Sequence, residues 1–486
     1  MTVNKRNIIL FFIASFVIGV LGAFVGANIF QTGSNVPNKM DVPFTKNKSD
    51  SELEEDLQLI KQAYELIDHH YIEDVDKDEL IEGAIQGMLD TLDDPYSSFM
   101  NHEAMERFQE QIQSSFQGIG AEVSMVDGKV TIVAPIKDSP AEKAGLRPND
   151  QILQVDGEEL DGLDLNEAVE KIRGEKGSEV VLLVQRKGAS NPFEVTIVRD
   201  DIPIETVEAK VTEHDGKKTG VIHIHSFAET TVTEFTEALE EIESKDVDGL
   251  VIDVRDNPGG LLDAIEDILQ LFVPQDIPYL QIEDGQGRVE EYYSTLEEKK
   301  PYPISVIINE GSASASEILA VAMKEIGYDV VGETSFGKGT VQQAVPLQAA
   351  NGESTIKLTF YKWLSPKGNW INEVGVEPTV KQKQPDYFYV QPLHVEETLK
   401  IDDTDEQIET AQKMLTGLGY DPKRKDGYFD EQTKQAVTAF QRDHHLQETG
   451  EIDAKTAGEL ESKVIEKIRS GKDDKQLQKA IEVLYK

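Results

Sequence analysis

An open α/β sheet is predicted by three short apolar, β-branched runs, one from Gly249 ending in Asp253-Val254-Arg255, and two at Ile304 to Ile308 and Val330 to Val331. Each gives way to a loop rich in Gly, Ser or Pro, and the first two lead on into amphipathic segments of helical period. In sheets of this class the side chains that carry chemistry emerge where a buried strand ends and the following loop begins. The rest of the chain adds separate units on either side of that core, as 486 residues lead one to expect.

At the N-terminus, Ile8 to Phe30 is a run of 23 uncharged residues preceded by Lys5 and Arg6. As a helix it is long enough to cross a bilayer, with the short N-terminus on the cytoplasmic side. The expectation is an uncleaved single-pass anchor over residues 1–30, a cell-membrane location and an extracytoplasmic remainder of the chain. A cleaved signal peptide processed at Val25-Gly26-Ala27 is the alternative. The 48 basic and 91 acidic residues give a net charge of -43, which excludes nucleic acid and anionic membrane surfaces as partners of the body. With no Cys, the chain has no disulfide, thiol chemistry or thiolate metal site.

Residues 31–50 form a polar linker. In the N-terminal helical region, 51–115, Leu53, Leu57, Ile60, Tyr64, Ile67 and Tyr71 recur at alternating steps of four and three. That stripe is one helix face wide and serves either packing onto the chain's own core or a homodimer arm. A second helix carries Ala84, Ile85, Met88, Leu89 and Leu92 and stops at Asp93-Asp94-Pro95.

Residues 116–200 run through a Gly-rich loop at Gly118-Ile119-Gly120-Ala121, strands at 121–125 and 129–134, and a short helix in Ser139 to Leu146. A strand and turn at 150–157, a helix at 165–172 and a strand at 179–185 complete the series. The series resembles a PDZ domain. The resemblance implies that consecutive N–H groups of Gly118, Ile119, Gly120 and Ala121 hold a terminal carboxylate while the bound tail adds a strand. Arg173, at the end of the 165–172 helix, is expected either to relay binding to the core or to be a solvated charge at a helix C-terminus.

The core, 201–390, brings its chemistry to two strand ends. Ser314 stands in NEGSASASEI after Ile304 to Ile308, and Lys338 stands in ETSFGKGTVQ after Val330 to Val331. No His lies between Pro301 and Thr379, so the base nearest in sequence to Ser314 is an amine, and the pair reads as a Ser-Lys hydrolase. A lysine accepts a proton near neutral pH only when burial lowers its pKa by about 3 units. The uncharged neighbours Phe336, Gly337, Gly339, Thr340 and Val341 suit that, and Gln342 can fix the amine's direction without adding charge. The Ala315 N–H at a helix start and the N–H groups of Gly259 and Gly260 in RDNPGG offer themselves to a tetrahedral oxyanion. A phosphate-binding loop is excluded because Gly339, not Ser or Thr, follows Lys338.

With NEGSASASEI, GETSFGKGTVQ and RDNPGG in place, the chain from about Leu57 to Val380 resembles the carboxy-terminal processing (tail-specific) serine peptidases. The resemblance implies a crotonase-like α/β core in which Ser314 is the nucleophile, Lys338 the general base and Gln342 its orienter. It also implies protein substrates taken by their C-termini, and no cofactor. A catalytically inactive wall-bound PDZ scaffold is the alternative function.

His223 and His225 alternate on one strand face, but no third ligand stands at suitable spacing and no metal is expected. Trp363 and Trp370 flank a turn and read as packing aromatics. In residues 401–470 three amphipathic helices, around Ile408 to Leu418, Thr433 to Phe440 and Thr456 to Ile468, resemble a peptidoglycan-binding three-helix domain. Peptidoglycan is therefore an expected partner. Residues 471–486 are expected to be a helical tail.

Overall fold

The computed structural model describes residues 50–126, 128–189, 191–349, 352–395 and 397–486. The chain divides into two compact units, residues 1–84 and 85–486. In the first, the helix Asp50–His70 leaves Leu57, Ile60 and Ile67 of its apolar stripe exposed, as is Tyr71 just past its end. The anticipated membrane anchor, Ile8 to Phe30, lies outside the described residues. Among the described residues no helix is long and apolar enough to cross a membrane. The longest, Asp50–His70, carries charged residues along its whole length. Single-pass anchoring, and the cell-membrane location that rested on it, are corrected accordingly.

In the second unit the core sheet has six strands among the described residues, in the order Val207–His214, Lys217–Ile224, Gly249–Asp253, Ile304–Ile308, Asp329–Gly332 and Val380–Lys381. The first pair is antiparallel and the others are parallel. Gly249–Asp253 and Ile304–Ile308 are buried at every position, which explains why they read as continuous apolar runs rather than as alternating ones.

One face of the sheet, with Ile222, Ile252 and Val306, packs under the helices Thr231–Glu243, Leu262–Leu269 and Ala315–Glu325. The other face, with Val221, Val251, Ile307 and Val331, is covered by Ala480, Ile481 and Leu484 of the helix Lys475–Leu484. What the sequence offers as a tail is thus a layer of the core. Arg255 clamps its start: the guanidinium bonds Asp253 on the sheet and Asp474, the N-cap of that helix, whose Oδ2 lies 2.8 Å from Nη2.

A second sheet, built on the long hairpin Thr340–Ala349 and Gly352–Leu364, flanks the core and pairs with Pro278–Asp284 and Ser98–Met100. The segment expected to be a PDZ domain forms its own sheet and apolar centre, with Ile132, Ile152, Leu182 and Val184 fully enclosed. Its entry and exit strands, Ser115–Gly118 and Asp200–Pro203, pair antiparallel with Phe116 opposite Ile202, so an inserted domain leaves and rejoins the core at one place.

Near the C-terminus the helices Glu406–Leu418, Glu431–Asp443 and Ala454–Arg469 close around Phe429, Phe440 and Leu460. Tyr387 packs against Gly417, where a Cβ would meet its ring 2.4 Å away, so only glycine fits.

Candidate active site

The strand Ile304–Ile308 ends in a loop that turns sharply into the helix Ala315–Glu325, and Ser314 stands at the turn with φ 53° and ψ -113°. A non-glycine residue in that conformation is strained and persists only where its surroundings fix it. The fixing groups are visible. Ser312 Oγ donates to the Val254 carbonyl at 2.7 Å, and Ser316 Oγ donates to the Asn257 carbonyl at 2.9 Å. The flanking serines thus pin the turn, whereas the Ser314 hydroxyl donates to no carbonyl among the described residues.

Glu317, on the first turn of that helix, is fully buried. Its Oε2 accepts the N–H of Ser314 and the N–H of Lys338, each at 2.8 Å. Its Oε1 accepts from Ser335 Oγ at 2.6 Å and from the Gly337 N–H at 2.7 Å. Four donors satisfy a carboxylate that would otherwise be costly to bury. Sequence reading missed this residue because Glu at the third helical position looks like an ordinary capping partner. Two indoles complete the Lys338 loop from outside, Trp363 Nε1 donating to the Lys338 carbonyl at 2.9 Å and Trp370 Nε1 to the Gly339 carbonyl at 2.8 Å. These aromatics therefore hold a loop as well as pack.

The Lys338 side chain is half-buried, and its Nζ lies 4.9 Å from the centroid of the Tyr96 ring. Burial, joined by repulsion from Lys357, holds the amine below the ordinary lysine value against the opposing pull of Asp94 and Glu317. Among the described residues no hydrogen bond joins Nζ to a carboxylate or to Ser314. Tyr96 is brought there by the turn after the helix Lys77–Asp90, where Asp94 accepts from Ser97 Oγ and Thr359 Oγ1, both at 2.6 Å.

Gln342 sits at a bulge in the hairpin, and its Nε2 donates to Thr340 Oγ1 at 2.9 Å and Thr359 Oγ1 at 3.0 Å. In this conformation its amide is engaged by the two threonines and not by the amine.

The three anticipated oxyanion donors separate. The Gly259 N–H donates to Asn257 Oδ1 at 2.8 Å, which corrects its expected role. What Gly259 supplies instead is closeness, since a Cβ there would stand 2.8 Å from Ser314 Cβ. The N–H groups of Gly260 and Ala315 have no protein acceptor among the described residues. Gly260, at φ 147°, has no room for a Cβ, which would lie 1.9 Å from the Phe227 carbonyl oxygen.

At the loop expected to bind peptide, Gly120 adopts φ 74° and a Cβ would reach Ser139 Cβ at 2.5 Å. The N–H groups of Ile119 and Gly120 have no protein acceptor among the described residues, and Gly118 and Ala121 flank them at strand ends. Arg173 lies beside this loop: its guanidinium stacks 4.9 Å from the Phe116 ring centroid, and Nη1 donates to Glu110 Oε2 at 3.1 Å. Glu110 belongs to the helix His102–Gln113, outside the inserted domain.

Residues 218–382 match the family model of peptidase family S41. Residues 16–104 match the N-terminal domain of the activating protease CtpB, residues 131–186 a PDZ domain and residues 404–460 a peptidoglycan binding domain. The chain is 50% identical over 483 residues to the carboxy-terminal processing protease CtpB of Bacillus subtilis (strain 168), covering 99% of each chain. It is 40% identical to CtpA of the same organism, again over 99% of each. A solved structure of the photosystem II D1 C-terminal processing protease is 27% identical, with a TM-score of 0.41 over 69% of this chain and 94% of that one. Sharing half its residues with a relative along nearly its whole length, the chain belongs to the carboxy-terminal processing proteases of peptidase family S41, serine proteases that carry a PDZ domain.

Proposed function

We propose that Ser314 and Lys338 are the catalytic dyad of an endopeptidase whose PDZ domain selects substrates by their free C-termini. The observation that carries this is the shared Glu317 carboxylate, which ties the strained Ser314 turn to the loop of a half-buried, pKa-depressed lysine. Neutral Lys338 takes the proton of Ser314 Oγ as that oxygen attacks the scissile carbonyl. The N–H groups of Gly260 and Ala315 receive the developing oxyanion. The lysine then gives its proton to the leaving amine, and in the second half it activates the water that releases the acyl group.

Since the amine rests against Tyr96 here, proton transfer requires it to swing off the ring toward Ser314. Gln342 becomes its orienter in that second position. Arg173, bridging the peptide-binding loop to Glu110, relays occupancy of the PDZ domain to the core. The C-terminal three-helix domain binds peptidoglycan. The exposed stripe Leu57, Ile60, Ile67 and Tyr71 pairs two copies.

The test uses the full chain with an unstructured, apolar-tailed peptide and its C-terminally amidated twin. Cleavage of the free-acid peptide that vanishes in both Ser314→Ala and Lys338→Met, together with poor cleavage of the amide, supports the reading. Equal inactivity of parent and variants sinks the dyad and favours the wall-bound scaffold. Arg173→Ala with unchanged turnover ends the relay.

A further inference from the structure

We propose that the core carries a zinc-class divalent metal site formed by Glu208, His223 and His225, apart from the Ser314 and Lys338 machinery. The two histidines look unpromising in sequence because no third ligand stands near them. Sheet register supplies it: on the adjoining antiparallel strand Glu208 lies directly opposite His223, which puts its carboxylate on the same sheet face as both imidazoles.

The geometry is close to what a tetrahedral ion needs. One ligand atom from each of the three residues lies within 4.8 Å of the others, and His225 Nε2 stands 3.3 Å from Glu208 Oε1. Ligands held about 2.0–2.1 Å from a tetrahedral ion are separated by about 3.4 Å. The imidazole rings lie 4.1 Å apart between centroids, tilted by 54°, so both can turn a nitrogen toward one point.

An ion pair between His225 and Glu208, with His223 merely stacked beside it, leaves one fact unexplained. His223 Nε2 is cut off from solvent and has no hydrogen-bond partner among the described residues. Burying such an atom unsatisfied is unfavourable, and a cation bound to it removes that penalty. The charges around it favour a cation. Asp253, next to His223 in the sheet register, shares the Arg255 guanidinium with Asp474, so two carboxylates face one positive charge. Two imidazoles and one carboxylate prefer Zn²⁺ and its neighbours in the first transition row over Mg²⁺ or Ca²⁺, leaving a fourth position for water.

The experiment takes the full, untagged chain, loads it with Zn²⁺, removes excess metal and counts zinc by elemental analysis. Affinity follows by competition with a chromogenic chelator, and thermal unfolding is recorded with Zn²⁺ or Mg²⁺. Glu208→Gln and His225→Asn change accessible side chains and spare the fold, whereas His223→Ala also removes packing and is read only beside them.

The expected result is about one tightly held zinc per chain and a zinc-specific rise in Tm. Either conservative variant should weaken zinc by more than the roughly 10–100-fold that loss of an outer-shell partner costs. The proposal is overturned if the parent retains no zinc, or if Glu208→Gln and His225→Asn bind it as the parent does. The latter outcome would assign the metal to other histidines.

Discussion

The backbones of Ser314 and Lys338 are joined through one oxygen atom, Glu317 Oε2, which accepts the N–H of each at 2.8 Å. Two loops from different strand ends therefore cannot move independently of this carboxylate. Its other oxygen accepts from the Ser335 hydroxyl and the Gly337 N–H, so the acid holds the lysine loop at three residues.

Glu317→Gln is expected to be nearly as damaging as Glu317→Ala. An amide keeps the shape but turns one acceptor into a donor, which then faces two N–H or O–H donors in a site closed to water. Leaving buried donors unpaired costs about 1–3 kcal/mol each. Urea unfolding should show a loss of roughly that size or more, with peptide cleavage falling by at least about a hundredfold as the proposed dyad loses its geometry. A Gln variant with parental stability and turnover would show that the carboxylate is only a helix cap.

The pH profile of cleavage follows from the depressed Lys338 amine. If the neutral amine is the base, activity rises with pH, and its midpoint lies below the ordinary lysine value of 10.5. Lys357→Met removes a neighbouring positive charge, makes Lys338 easier to protonate and should move that limb to higher pH. The unfolded chain binds this proton more tightly than the native one, so stability rises as pH increases from the folded toward the unfolded value. Lys338→Met, free of that cost, should be more stable than the parent at pH 7. A limb that stays in place in Lys357→Met would remove the electrostatic part of this account.

The buried strands, the Gly-Gly turn and the two loops that carry Ser314 and Lys338 were legible because each is a local pattern. A run of β-branched residues, a small-residue turn and a glycine-flanked lysine need no knowledge of distant segments. Glu317, Tyr96 and Asp94 were not legible as site residues, since each acquires its role only through a loop remote in sequence. The same holds for Glu208, whose distance from His223 is set by strand register and not by spacing. Gly259 misled for a related reason: its open backbone suggested a free donor, but the Asn257 side chain two residues earlier takes that N–H. The final helix read as a tail because its apolar face, Ala480, Ile481 and Leu484, gives no sign of which surface it covers.

That covering role predicts the effect of truncation. Ending the chain after Ser470 removes Ala480, Ile481 and Leu484 from Val221, Val251, Ile307 and Val331, and strips Asp474 from Arg255. Ile481→Ala alone should cost about 2–5 kcal/mol in chemical denaturation. The truncated chain should expose the sheet face and bind a hydrophobic dye. A truncated chain that unfolds at the parent's denaturant midpoint would show that the helix is dispensable to the core.

Glu266 gives the molecule a pH-dependent weakness on the opposite face of the sheet. It lies buried on the helix Leu262–Leu269, and among the described residues Oε1 has no partner and only the Tyr279 hydroxyl donates to Oε2, at 3.3 Å. Burial, with the charge of Asp263 adding to it, pushes its carboxyl up from 4.5 to about 7. Between those values the folded chain holds a proton that the unfolded chain has released, so this group's contribution to stability falls as pH rises and is lowest above pH 7. A displacement of that size corresponds to roughly 3 kcal/mol. Glu266→Gln carries no charge to bury and should flatten this part of the profile, gaining stability over the parent at pH 8 while matching it near pH 4.5. The comparison needs only urea midpoints at the two pH values. Parallel profiles for parent and variant would mean that the carboxylate finds water or a partner when it ionises.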